Sequence, residues 1–205
     1  MKKITFLTSF IWVLALSGLH AATSSEADRL KGVIDAAIEA VYGDCCADLP
    51  PEEKQAKVRK VLESEYDLDV IIRRAIGRNW RLMNAREQEQ VLELVKQLLV
   101  KAYVNSMEGK ATPEVQLGET IEITDKRIEI PSKVKMEEQT VNVLYRLGRM
   151  SSGWQIYDIV AEDISVVANY RQQIDDHFRR GDAQDLIHKL EELLKKEDID
   201  KDIQL

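Results

Sequence analysis

The hydrophobic period of the chain changes twice, and this change restricts the fold more than any other feature of the sequence. Before Pro113, apolar residues recur at helical spacing, which is typical of helices that bury one face. After Pro113, apolar and polar residues alternate, as at Ile121 and Ile123, which indicates strands with one apolar face. The helical period returns near Ile164. The pattern predicts an α+β fold with helical N-terminal and C-terminal parts around a sheet.

Three helices are predicted in the first part of the chain. The first spans Ser24 to Tyr42, and the second begins just after Pro51, because proline suits the first turn of a helix. Asp67 or Asp69 can cap the third helix, since a carboxylate there accepts from free amides of the first turn. This third helix is predicted to continue through to Trp80.

The remaining helices carry similar signals. Asn84 and Glu87 have the spacing of a capping box and begin a long fourth helix. Two more helices follow the sheet, from about residue 164 to 178 and, after an Asp182 cap, from 183 to 196. The apolar stripe of the fourth helix consists of Val91, Leu94, Val95, Leu98, Leu99, Ala102 and Tyr103.

The sheet is predicted to be an antiparallel four-stranded meander, one face of which is covered by amphipathic helices. Glu137 and Glu138 separate two of the alternating runs, and residues 151–153 separate the last two, both at hairpin spacing. The final strand spans Trp154 to Val160. Pro131 has no backbone N–H to donate, so its strand is expected to lie at an edge or to carry a bulge.

The first residues resemble a secretory signal peptide. Two lysines precede an apolar stretch from Ile4 to Leu19, and the small residues Ala21 and Ala22 follow it. Because this stretch is interrupted by polar residues, cleavage is expected rather than anchoring. The predicted organisation is a signal peptide over 1–21 and one domain over 22–205, with helices over about 24–107 and 164–196 and the sheet over about 114–162. The mature protein is expected outside the inner membrane.

Charge and composition exclude several kinds of function. The formal net charge is -7, so there is no overall positive field to attract nucleic acid. Cys45 and Cys46 are the only cysteines, they are adjacent, and there are three histidines, so no zinc site of ordinary spacing can form. We therefore expect no metal, no cofactor and no nucleic acid partner.

The sequence contains no recognisable catalytic motif. It has no G-x-S-x-G element, Walker loop or Rossmann glycine pattern. An enzyme that uses Asp158 and Tyr157 as acid and base stays open as an alternative, although no catalytic residue is predicted. Asp163, near the end of the last strand, is expected to be the N-cap of the helix that follows.

A cluster of arginines stands out from the acidic background. Arg74, Arg78 and Arg81 are spaced i, i+4, i+7, which is expected to place all three on one face of the third helix. Such a face could meet an anionic headgroup or an acidic docking surface. It could equally be a solvated face, or the binding surface of an interaction module whose core is filled.

Two segments resemble a known family. Ala75-Ile76-Gly77-Arg78-Asn79-Trp80-Arg81 resembles the A-L-G-x-x-W-R segment of the periplasmic MlaC-like, or toluene-tolerance, phospholipid-binding proteins. The segment from Trp154 to Arg171 resembles their W-x-[VI]-Y-D-[VI]-x-x-E-G-[VI]-S-L-V-x-N-Y-R signature. Asp163 stands where the family pattern has glycine, and the segment from Met107 to Lys110 also departs from the pattern.

The resemblance implies a periplasmic carrier that is not an enzyme. Such a protein binds a phospholipid by its acyl tails and passes it between an outer-membrane lipoprotein complex and an inner-membrane ABC transporter complex with a membrane-anchored substrate-binding subunit. This transport would maintain outer-membrane lipid asymmetry. Another apolar ligand, such as a hopanoid, is an alternative. The expected tail contacts are Ile72, Ile76, Leu98, Ala102, Tyr103, Val143, Tyr145, Leu147, Trp154 and Ile156.

Overall fold

A computed structural model describes the backbone of residues 18–196 and the side chains of residues 26–196. This part of the chain is α+β, with six α-helices and an antiparallel six-stranded sheet that is not closed. The predicted signal peptide lies, up to residue 17, outside the described residues. The helices are α1 (Gly18–Tyr42), α2 (Pro51–Glu65), α3 (Leu68–Ile76), α4 (Ala85–Met107), α5 (Val166–His177) and α6 (Ala183–Lys195). The strands are β1 (Glu114–Leu117), β2 (Ile121–Thr124), β3 (Arg127–Met136), β4 (Gln139–Met150), β5 (Gly153–Ala161) and β6 (Ile164–Ser165).

The predicted helix caps are mostly confirmed. The Asn84 side chain accepts from the Glu87 amide at 3.0 Å, and the Glu87 carboxylate accepts from the Asn84 amide at 2.9 Å. A second capping box joins Asp182 and Asp185 at the start of α6. Asp67 rather than Asp69 caps α3, with its carboxylate 3.0 Å from the Asp69 amide. These contacts satisfy amides that have no partner within the helix.

The third helix ends earlier than predicted. Gly77 has φ 61° and ψ -131°, far from helical values, so α3 stops at Ile76 and a 3-10 turn follows over Gly77–Leu82. The prediction of a continuous helix to Trp80 is therefore wrong. Arg74 lies on α3 whereas Arg78 and Arg81 lie in the 3-10 turn, so these arginines do not share one α-helical face.

The sheet has six strands rather than the predicted four. β3, β4 and β5 are the long strands, and β1 and β2 both pair with the other edge of β3. The sequence pattern missed the short strand β1, and it missed β6 because its two residues were assigned to the start of a helix. None of the helices in the described part is long and apolar enough to span a membrane.

Pro131 does not lie in an edge strand or at a bulge in β3, contrary to the prediction. β3 pairs with β4 in unbroken register through Pro131. On the other side of β3, β1 pairing ends at Ser132 and β2 pairing begins at Glu129. Pro131 falls in the gap between them, where no donor is needed, and its carbonyl accepts from the Gly118 amide at 2.7 Å.

The turn into α5 also differs from the prediction. Glu162 and Asp163 have φ values of 46° and 65° and form the turn between β5 and β6. Ser165, not Asp163, caps α5, and its hydroxyl oxygen lies 3.0 Å from the Ala168 amide. Asp163 thus adopts a left-handed conformation at a position where glycine fits without strain, which accounts for the glycine of the family pattern.

Three groups of buried apolar residues form the interior. The bundle cluster lies among α3, α4, α5 and α6 and contains no strand residue. The sheet cluster joins α1 and the α2–α3 connection to the sheet and consists of Leu30, Val33, Tyr66, Ile128, Ile130 and Leu147. The junction cluster joins α1, α2 and α4 and consists of Ala40, Val41, Val58, Val100, Val104 and Met107.

Candidate functional site

An apolar cavity of about 70 Å³ lies within the helical bundle. Several of its walls, among them Ile71, Ala75, Leu99 and Tyr170, are partly exposed, so the cavity reaches the surface. A wall of this composition favours hydrocarbon over any charged or strongly polar ligand. The lining residues are Ile71, Ile72, Ala75, Ile76, Val95, Leu98, Leu99, Val166, Val167, Tyr170, Ile174 and Leu190.

Three of the predicted tail contacts line this cavity: Ile72, Ile76 and Leu98. Ala102 packs against the bundle cluster but is not part of the cavity wall, and Tyr103 packs against the junction cluster. The structure therefore brings Ile72, Ile76 and Leu98 together at the cavity, whereas Ala102 and Tyr103, one turn further along α4, lie outside its wall.

The predicted sheet contacts lie in a different place. Leu147 belongs to the sheet cluster, and Tyr145, Trp154 and Ile156 pack against that cluster. Val143 is on the same face of β4 as Tyr145 and Leu147, because residues two apart along a strand point to the same side. The structure therefore separates the predicted tail contacts into one group at the bundle cavity and one group on the sheet.

Sequence reasoning missed most of the cavity wall. Val95 and Leu99 were recognisable in the α4 stripe, but the stripe alone does not distinguish a core position from a cavity position. Val166, Val167 and Tyr170 lie within the family-like segment, and the structure now places them against α3 and α4. Their common signal was the start of an amphipathic helix directly after the last strand.

The apolar inner face of the sheet is covered unevenly. Ile128, Ile130 and Leu147 are at most 1% exposed beneath α1 and α2. Further along the same face, Val134 and its partner Val141 are only half-buried, as are Val143 and its partner Ala161. The sheet therefore presents more apolar surface than its helices cover completely.

Three tyrosines lie at the sheet and junction clusters: Tyr66 is buried, and Tyr103 and Tyr145 are half-buried. Burial raises the pKa of Tyr66 to about 12, and it also raises the pKa of Tyr103 and of Tyr145. The nearby Tyr145 contributes electrostatically to the raised pKa of both Tyr66 and Tyr103. All three therefore keep their protons at neutral pH and can donate hydrogen bonds.

Asp158, the acid–base candidate of the enzyme alternative, has several hydrogen-bond partners within the fold. Its buried carboxylate accepts from the Ser165 hydroxyl at 2.8 and 3.0 Å, from the Val167 amide at 3.2 Å and from Arg146 at 3.2 Å. These contacts join β5 to the start of α5. Tyr157 carries the Arg74 guanidinium over its ring at 4.7 Å.

The arginines predicted to dock or to meet a headgroup are partly engaged within the molecule. Arg74 stacks on Tyr157, as described above, and the Arg78 guanidinium lies 3.3 Å from the Asp175 carboxylate. The pKa of Asp175 is lowered, mainly by a hydrogen bond from Asn79 and also by the charge of Arg78. Arg81 is exposed in the 3-10 turn. The backbone carbonyl of Arg74 accepts from Arg171 at 3.0 Å, which fixes the end of α3 against α5.

The adjacent cysteines are joined to each other. Cys45 and Cys46 form a disulfide in the connection between α1 and α2, with Cys46 buried and Cys45 exposed. Among residues 18–196, no group of three or more histidine, cysteine, aspartate or glutamate side chains is placed to hold a metal ion.

The fold is thus that of an α+β protein with an apolar cavity in a helical bundle beside an antiparallel sheet. The chain belongs to the MlaC protein family, whose model matches residues 32–192. No curated protein matches the chain. A similar solved structure is that of the phospholipid-binding protein from Ralstonia solanacearum in complex with a phospholipid, at a TM-score of 0.69 and 23% sequence identity. The comparison covers 85% of this chain and 99% of that chain.

Proposed function

We propose that this protein is a periplasmic carrier that binds one phospholipid by its acyl tails. It passes the lipid between an outer-membrane lipoprotein complex and an inner-membrane ABC transporter complex with a membrane-anchored substrate-binding subunit, which maintains outer-membrane lipid asymmetry. The observation that carries the proposal is the apolar cavity of the bundle in a chain of the MlaC family. The phospholipid bound by the similar Ralstonia solanacearum protein supports it.

The size of the cavity requires the bundle to widen around the tails. A volume of about 70 Å³ is roughly half of the ~150 Å³ that accommodates one benzene molecule, whereas two acyl tails have on the order of 30 methylenes. Burial of those methylenes releases roughly 24 kcal/mol at ~0.8 kcal/mol each, before the costs of binding. This exceeds the few kcal/mol that separation of several packed side chains costs, so the lipid itself can hold the bundle open.

The same free energy explains why docking must be part of the function. Release of the tails into water would be negligible, so the lipid leaves only where another apolar environment meets the cavity. The exposed arginine of the 3-10 turn, Arg81, together with Arg74 and Arg78, is the proposed docking or headgroup surface. Because the protein carries net negative charge, specific contacts rather than general attraction would guide it to an anionic membrane.

A cavity-filling variant tests the proposal. Ala75 lies in the cavity wall on α3, and Ala75→Leu places three additional carbons there. Displacement of about three methylenes at ~0.8 kcal/mol each should weaken phospholipid uptake from vesicles roughly fiftyfold. The melting temperature of the lipid-free protein should stay the same or rise, because the added carbons fill a void.

Ala36→Leu on the exposed side of α1 is the matched control, and it should leave uptake unchanged. Normal uptake by Ala75→Leu would show that the tails bind elsewhere. Failure of the unmodified protein to acquire any phospholipid would refute the carrier proposal. Extraction of a hopanoid instead would replace phospholipid by another apolar cargo.

A further inference from the structure

Two buried hydroxyl groups at the inner face of the sheet have no hydrogen-bond partner among the described residues. They are Tyr66 Oη and Ser132 Oγ, and each side chain is 4% exposed. Buried hydroxyls nearly always have partners, because a hydroxyl removed from water loses its hydrogen bonds with solvent. Two such groups in one region therefore indicate that a polar partner belongs there.

Tyr145 lies near both Ser132 and Tyr66. Ser132 faces Val143 across the β3–β4 ladder and Tyr145 faces Ile130, so Ser132 and Tyr145 are diagonal neighbours on one face. Burial raises the pKa of Tyr145, and the nearby Ser132 hydroxyl lowers it by a smaller amount. The Ser132 Oγ nevertheless has no partner with hydrogen-bond geometry. Tyr66 belongs to the sheet cluster, against which Tyr145 packs.

The position of Ser132 connects this polar group to the partly covered part of the sheet. Ile130, two residues earlier in β3, is fully buried, whereas Val134, two residues later, is half-buried. Val143 and Ala161, which lie in the same row across the sheet as Ser132, are also half-buried. Ser132 therefore marks the boundary at which the closed inner face becomes accessible.

The chemistry of the region favours a neutral hydrogen-bond acceptor over an anion. Burial keeps Tyr66 and Tyr145 protonated, so both can donate. The Arg29 guanidinium lies 4.5 Å above the Tyr66 ring, and it already binds Glu26, Glu65 and the Trp154 carbonyl. A phosphate here would have to compete for a guanidinium that is already paired, whereas an ester carbonyl needs only donors.

We propose that Tyr66, Ser132 and Tyr145 form a polar subsite that donates hydrogen bonds to the ester carbonyls at the head of the bound acyl chains. The inference rests on the proposed function and adds selectivity to it: the protein distinguishes acyl esters from lipids with equally long hydrocarbon chains and no carbonyl. An ether-linked lipid would leave the same hydroxyls unpartnered, which lowers its affinity.

A competition experiment tests this subsite. The delipidated full-length protein is incubated with equal amounts of diester and diether phosphatidylethanolamine of identical chain length, and native mass spectrometry measures the ratio of the two adducts. The unmodified protein should favour the diester about tenfold, the effect expected for one or two hydrogen bonds. Tyr66→Phe combined with Ser132→Ala should reduce the preference to about twofold.

Tyr42→Phe is the control, because the Tyr42 hydroxyl already donates to the Met107 carbonyl at 2.8 Å and its loss should leave the preference intact. Equal binding of both lipids by the unmodified protein would overturn the subsite, as expected if the hydroxyls hold only internal water. An undiminished preference in the double variant would also overturn it. If the double variant does not fold, the unmodified protein and Ser132→Ala alone decide the question. Binding of neither lipid would instead refute the proposed function.

Discussion

The bundle cluster and the sheet cluster are both apolar, but they are packed to different degrees. In the sheet cluster, Leu30, Ile128, Ile130 and Leu147 are at most 1% exposed, and the helices above them close the face. The bundle cluster surrounds a cavity whose outer walls, such as Ala75 and Leu99, remain partly exposed. The difference indicates that the closed part of the sheet cluster, around Leu30, Ile128 and Leu147, holds the fold together. The side chains of the bundle cluster can separate to admit acyl tails, and the proposed ester subsite lies at the edge of the closed part, at Ser132.

The lengths of the helices support this division. α1 and α4 have 25 and 23 residues, whereas α3, which forms one wall of the cavity, has nine. A short helix gains little stability from its own hydrogen bonds and depends on packing with its neighbours. α3 is therefore the wall that we expect to move when acyl tails enter.

The largest predicted effect comes from matched leucine truncations in the two regions. Leu30→Ala removes a side chain that is 1% exposed in the sheet cluster, and it should lower the free energy of unfolding by about 2–5 kcal/mol. Leu99→Ala removes a partly exposed wall of the cavity and should cost about 1–2 kcal/mol, because its surroundings are already incomplete. Urea denaturation of the lipid-free proteins measures both values, and equal losses would contradict the division.

A smaller effect is expected from two glycines in helical segments. Gly77 ends α3 with φ 61°, and a Cβ there would lie 3.2 Å from Arg171 Nε, so Gly77→Ala should cost about 1–3 kcal/mol. Gly32 lies within α1 with no atom within 4 Å of an added Cβ, so Gly32→Ala should stabilise by about 0.5–1 kcal/mol. Thermal unfolding distinguishes the two, and a stabilising Gly77→Ala would show that the end of α3 is not fixed.

The smallest effect concerns an ion pair that joins α2 to the bundle. Hydrogen bonds from Arg59 lower the pKa of Glu93 to about 2, with Arg59 Nη1 and Glu93 Oε1 2.5 Å apart. A lowered pKa means that the pair stabilises the fold above about pH 4.5 and is lost as the pH falls toward 2. Because both side chains are partly exposed, the contribution should stay below about 1 kcal/mol.

Glu93→Gln should therefore lower stability at pH 7 and make little difference near pH 2. Chemical denaturation at several pH values measures this difference, with the exposed loop variant Glu119→Gln as control. A deficit that is the same at every pH would show that the ionised carboxylate is not what stabilises the contact.

The sequence predicted the elements that local rules determine. The capping patterns at the starts of α4 and α6 act within four residues. The predicted N-caps, Asn84 with Glu87 for α4 and Asp182 for α6, were both confirmed. The alternation in β3 to β5 also identified the long strands. Local rules failed where the decisive partner is distant: β1 exists because β3 offers it an edge, and the Pro131 gap depends on where β1 and β2 end.

The candidate site was predictable only in part for a similar reason. A stripe such as that of Leu98 and Leu99 shows which side of α4 is buried, but both a filled core and a cavity wall require apolar residues. The apolar spacing of α3 was extended to Trp80, whereas the positive φ of Gly77, which ends the helix at Ile76, was not predicted. The unpartnered hydroxyls of Tyr66 and Ser132 depend on the fold of three separate segments and carry no local sequence signal.

Native mass spectrometry of the full-length protein, purified from cells without detergent, tests the central claim most directly. The account predicts a stoichiometric adduct with the mass of one diacyl phospholipid, which is lost when the protein is unfolded. A protein that carries no such adduct, and that gains none after incubation with phospholipid vesicles, would contradict the account.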